Sequence, residues 1–92
     1  MPALQGHLSQ PFVARYWSLV AEVLEQVFQI ASKQQMHSLF EEITRLNPDE
    51  QIYFYHAEPL DVAADLAGLS NRDLSRYEQQ YELIARKHHW TL

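Results

Sequence analysis

From Phe12 onward the apolar residues return every three or four positions: Phe12, Tyr16, Leu19, Val20, Val23, Val27 and Ile30. That is the period of a helix with one side turned to a core. Val13, Leu24, Phe28 and Ala31 widen the stripe to about half the circumference, while Arg15, Ser18, Glu22, Glu25 and Gln29 hold the other side. Ser9 followed by Pro11 supplies an N-cap and a proline in the first turn, where a missing N–H costs nothing. So wide a face predicts more than one packing neighbour, and in a small chain one of them is expected to be a second copy.

Ser32 and Gln35 have the form of a capping box, which predicts a break or kink there. Met36, Leu39, Phe40, Ile43 and Leu46 make a narrower stripe and a second helix. Asn47-Pro48 ends it and starts the next, with Asn47 as N-cap, Pro48 at N1 and Glu50 at N3. Gln51–His56 is rich in strand formers, but no second strand is evident to pair with it, so it is assigned as a short helix. Pro59 opens a fourth helix on Leu60, Val62, Ala63, Leu66 and Ala67; Gly68 stops it, and Leu69 closes the apolar contact. Ser70 and Asp73 then cap a last helix that runs on Leu74, Tyr77, Tyr81, Ile84 and His88. The expectation is an all-α single domain of about five helices with short connections, residues 1–8 forming a flexible tail.

Composition narrows the classes of function. The chain has 92 residues and no cysteine, which removes disulfides, thiolate metal sites and thiol nucleophiles. Two glycines, Gly6 and Gly68, leave no glycine-rich phosphate loop. Residues 1–11 lack the basic region and apolar run of a signal peptide. The apolar-rich segment from Phe12 to Ala31 carries Arg15, Glu22 and Glu25, unlike a membrane span. A soluble cytoplasmic protein is the expectation. The net charge of −5 opposes non-specific nucleic-acid binding, since phosphates need a positive surface.

The segment from Leu60 to Gln79 raises a sharper question. Ala64 and Gly68 stand four apart, with Ala63, Ala67, Leu69, Leu74 and Tyr77 at apolar places around them. In this it resembles the helix-turn-helix family, which favours a small residue five positions in and a glycine at the ninth. The resemblance implies that Asn71, Arg72, Ser75, Arg76 and Gln79 would face DNA, Arg toward guanine and Gln toward adenine. Arg72 and Arg76 lie early in the predicted helix, where the dipole disfavours cations, so helix energetics do not explain them. A packed corner with a solvated polar face accounts for the same small residues, and Glu58, Asp61 and Asp65 make the preceding helix acidic. The packed corner is the favoured reading and DNA the rival.

Other chemistry is sparse. His7, His37 and His56 belong to separate elements, and His88 and His89 point about 100° apart on a helix, so no metal site is expected. No carboxylate pair or nucleophile has a catalytic context, so neither an enzyme nor a cofactor is expected. The aromatics say more. Tyr53, Phe54 and Tyr55 are consecutive and cannot all face one core, and Trp17 lies at the margin of the first apolar stripe. These types dominate interface hot spots. The leading expectation is a non-catalytic protein-binding domain, homodimeric and regulatory or assembly-related, that uses Trp17, Tyr53, Phe54 and Tyr55.

Overall fold

The first helix, α1 (Gln10–Gln26), is the axis on which the other elements pack. The computed structural model describes residues 10–31, 33–69 and 73–90. The expected tail at 1–8, the Ser32 cap and the Ser70-Asn71-Arg72 stretch lie outside them. After α1 come α2 (Lys33–Thr44), α3 (Pro48–Phe54), α4 (Pro59–Leu66) and α5 (Glu78–Lys87), with one 3-10 turn at Ser75–Tyr77. The fold is all-α with five α-helices and no strand among the described residues.

Tyr16, Leu19, Val20, Val23 and Leu24 of α1 are fully buried. α4 is their most extensive partner, and α5 and α2 take the flanks. α5 runs antiparallel to α1: Gln80 donates to the Gln26 carbonyl (3.2 Å) at one end, and the Trp90 ring meets Phe12 (5.3 Å) at the other. The broad stripe of α1 is thus covered by three helices of its own chain. Three packing neighbours from the same chain thus share that width.

Helix ends follow local chemistry in some places and packing in others. Asn47 accepts from the Glu50 N–H (2.9 Å) and caps α3 as the sequence predicts. Gly68 sits at φ +79, with Leu69 N–H on the Ala64 carbonyl (2.8 Å) and Gly68 N–H on Asp65 (3.0 Å), a Schellman end. α1, expected to reach Ala31, stops at Gln26 instead. Gln29 turns to φ +58 and Ile30 bonds back to the Leu24 carbonyl (3.0 Å). Val27, Phe28 and Ile30 still pack on the core, but from a loop, with Phe28 against Tyr77 at 5.0 Å. The last helix also starts later than the Ser70/Asp73 cap predicts. Asp73 accepts from the Ser75 N–H (3.0 Å), a 3-10 turn follows, and α-geometry begins at Glu78.

α5 ends in the same Schellman pattern as α4, without a glycine. Trp90 N–H bonds the Ala85 carbonyl (2.8 Å) and His89 N–H bonds Arg86 (3.0 Å), while His89 sits at φ +58. A β-carbon is unfavourable in that conformation. His89→Gly is therefore expected to raise stability by about 0.5–1 kcal/mol, read as a higher urea midpoint with unchanged slope.

Glu22 ties α1 to the C-terminal end of α5. Glu22, half-buried, accepts from Lys87 and meets His88 Nε2 (2.6 Å). The hydrogen bond from Lys87, then that from His88, holds the Glu22 carboxyl below the ordinary carboxylate value near 4.5. A depressed folded value means that this stabilisation is complete above pH 4.5 and disappears as pH falls through the folded value. Glu22→Gln is expected to cost about 1 kcal/mol at neutral pH. Urea titrations of both proteins down to strongly acid pH should converge as the carboxylate protonates.

Candidate interaction surface

The sequence-predicted aromatics divide into buried and exposed members. Trp17 and Tyr55 are core residues, each 7% exposed, and the Trp17 indole N–H donates to the Tyr55 hydroxyl (2.8 Å). Each therefore spends its polar group on the other inside the chain. Neither polar group is therefore open to a partner, although the Trp17 ring still lines a groove. Tyr53 is 79% exposed and Phe54 is half-buried. α3 ends at Phe54, so the chain turns before all three consecutive rings would have to share its circumference.

Packing joins these rings into a continuous seam across α1, α2 and α3. Phe40 of α2 meets Trp17 edge-on at 5.9 Å, and Trp17 stacks on Phe54 at 5.9 Å with 15° between planes. Phe54 in turn meets Tyr55 edge-on at 5.1 Å. An open groove flanks each side of the seam. One, about 570 Å³, runs between α1 and α2 on Trp17, Ala21, Met36 and Phe40, with Lys33 and His37 at its edge. The other, about 590 Å³, is bounded by Leu46, Glu50, Tyr53, Phe54 and His56.

α2 leaves the first groove open because it is sparsely packed. Of its stripe only Ile43 is buried; Met36 and Leu39 are half-buried and Phe40 is 38% exposed. Sequence reasoning read that stripe as ordinary core and passed over Met36, Phe40 and Ala21 as surface. The available signal was its narrowness: a helix with few apolar positions covers its neighbours incompletely.

Three tyrosine hydroxyls are locked in place. Tyr16 donates to the Ala57 carbonyl (2.9 Å) and Tyr81 to Glu58 Oε1 (2.9 Å). Burial is the main cause that pushes both hydroxyls above the ordinary tyrosine value, with neighbouring Tyr55 and Glu58 adding at Tyr16 and the Glu58 hydrogen bond adding at Tyr81. Burial also raises Tyr55, partly offset by the Trp17 hydrogen bond. All three remain neutral donors or acceptors that fix α1, α3, α4 and α5 behind the seam. Among the described residues no group of three or more His, Asp and Glu side chains is arranged to hold a metal ion. No helix there is long and apolar enough to cross a membrane.

The helix-turn-helix resemblance fares differently. Asn71 and Arg72 lie outside the described residues. Ser75, Arg76 and Gln79 are exposed, but Ser75 and Arg76 lie in the 3-10 turn and only Gln79 is on α5. After α4 ends at Leu66, the described residues Ala67–Leu69, Asp73 and Leu74 are not helical. A helix-turn-helix joins its two helices by a turn of three or four residues. Both α4 and α5 pack chiefly on α1. The small residues Ala63 and Ala64 of α4 are buried. Arg76 lies over the Tyr77 ring at 5.3 Å, and Glu58, Asp61, Glu78 and Glu82 surround a cavity of about 330 Å³ shared by α4 and α5. Carboxylates thus line the cavity between α4 and α5.

No known protein family, curated protein or solved structure matches the chain.

Proposed function

We propose that this is a non-catalytic helical domain that works by binding another protein, as a regulatory or assembly factor, along the aromatic seam of α1, α2 and α3. The observation that supports this is the open groove beside Phe40 and Trp17. The chain buries its other apolar stripes on α1, yet leaves Met36 and Phe40 of α2 partly in water beside Ala21. Contiguous apolar surface of this kind, rimmed by polar groups, is characteristic of interaction sites. The Trp17, Phe40, Phe54 and Tyr53 rings supply the residue types that dominate binding energy. Tyr16, Tyr55 and Tyr81 hold the platform rigid through hydrogen bonds to other elements, which limits the ordering cost of binding.

Photo-crosslinking in cells tests the reading. A benzophenone amino acid in place of Phe40 or Tyr53 should capture protein, and the same group in place of Gln79 on α5 should not. Equal capture at all three positions, or none at any, would overturn it. Capture of nucleic acid at Gln79 would restore the DNA reading instead.

A further inference from the structure

The groove between α1 and α2 has an electrostatic sense as well as a shape. Lys33 is the cation of its lining, beside His37, and no described carboxylate lines it. The chain as a whole carries −5, and three other grooves among the described residues show it. Glu58, Asp61, Glu78 and Glu82 surround the one between α4 and α5, Glu50 stands on the one beside Tyr53, and Glu42 edges the one on the far side of α2. His37 pairs with Glu41 one turn along (3.2 Å), but Lys33 makes no ion pair with any described carboxylate. Lys33 also opens α2, whose first turn contains no acid, so the positive end of that helix lies at the same end of the groove.

The groove's dimensions match a helix. Trp17 and Ala21 are one turn apart on α1; Lys33, Met36, His37 and Phe40 follow at i, i+3, i+4 and i+7 on α2. The channel therefore extends for about two turns, roughly 10 Å, which suits side chains presented at i, i+3 or i+4, and i+7. Among the described residues, no helix of a second copy presents a row of large exposed apolar side chains. The large exposed apolar residues, Phe40, Tyr53 and Leu83, lie on three different helices.

We infer that the α1–α2 groove receives an acidic amphipathic helix of a partner protein, its apolar side chains on Trp17, Ala21, Met36 and Phe40 and a carboxylate beside Lys33. This rests on the protein-binding reading above and adds the partner's chemistry.

Two synthetic peptides of about 18 residues test it, with identical Leu and Phe anchors at helical spacing and either Glu or Lys on the polar face. By fluorescence anisotropy at low salt, the Glu peptide should bind the full chain at least about tenfold more tightly than the Lys peptide. The gap should narrow at about 0.5 M salt. Lys33 is exposed, and an acid at the start of α2 suits the helix dipole, so Lys33→Glu leaves the fold intact and should reverse the order of the two peptides. Ala21→Trp, which fills the groove, should weaken both. Three results would overturn the inference. The first is no binding of either peptide at about 100 µM. The second is binding indifferent to the sign of the peptide or to Lys33→Glu. The third is light scattering that gives a dimer broken by Ala21→Trp, which would put a second copy in the groove. If the benzophenone at Phe40 captures protein while the peptides show no charge preference, only the partner's chemistry fails and the protein-binding reading stands.

Discussion

Tyr16→Ala is expected to remove about 3–5 kcal/mol, the cost of emptying a buried aromatic site. For a chain of 92 residues the whole folding free energy is about 5–14 kcal/mol. The variant should therefore retain between almost none and about four-fifths of that stability, with a urea midpoint lowered in proportion. The ring is fully buried and adjoins Tyr55 at 4.8 Å, Trp90 at 5.5 Å, Trp17 at 5.7 Å and Phe54 at 6.0 Å. It is the hub through which α1 holds α3 and the chain following α5. Tyr16→Phe separates the ring from the hydroxyl. It leaves the Ala57 carbonyl without its donor, but Ala57 is exposed and water can replace the bond, so the expected cost is about 1 kcal/mol. A Phe variant as damaged as the Ala variant would show that the hydroxyl, not the ring, anchors the turn between α3 and α4.

Several features were legible in the sequence because their causes are local. Asn47-Pro48 caps α3 by reaching three residues ahead, and Gly68 ends α4 because a β-carbon is unfavourable at its φ of +79. The period of Leu74, Tyr77, Tyr81, Ile84 and His88 was read correctly as an inward face, although Leu74 and Tyr77 precede the α-helix. Periodicity records which side chains turn inward and is silent on whether the backbone between them is helical. Val27, Phe28 and Ile30 made the same point at the end of α1.

The aromatic site was half legible. A buried Trp–Tyr pair and an exposed one have the same composition, and what separates Trp17 and Tyr55 from Tyr53 is that the first two satisfy each other's polar groups across α1 and α3. That meeting depends on the packing of elements 38 residues apart in sequence. Nothing in the spacing of either segment announces it. The groove depends on packing in the same way, because Ala21 of α1 becomes surface only where α2 leaves it uncovered.

Ala63 tests where the small residues of α4 are used. Ala63→Leu is expected to cost about 2–3 kcal/mol, although leucine is nearly as good a helix former as alanine. Ala63 is fully buried, as are Leu60 and Val62 within a few per cent, and the principal neighbour of α4 is α1. Three added carbons have no room unless α4 moves away from α1, and that movement disturbs Tyr16 and Tyr81, whose hydroxyls bond to Ala57 and Glu58 just ahead of α4. The control is Ala14→Leu. Ala14 lies on α1 but is exposed, so the same change in side chain there should alter stability by no more than about 0.5 kcal/mol. Near-ultraviolet circular dichroism would add the location of the damage. If Ala63 served a corner with α5, as a helix-turn-helix arrangement requires, the aromatic signal of Tyr16, Trp17 and Tyr55 would survive the substitution. Because α4 lies on α1, that signal is expected to fall together with the urea midpoint.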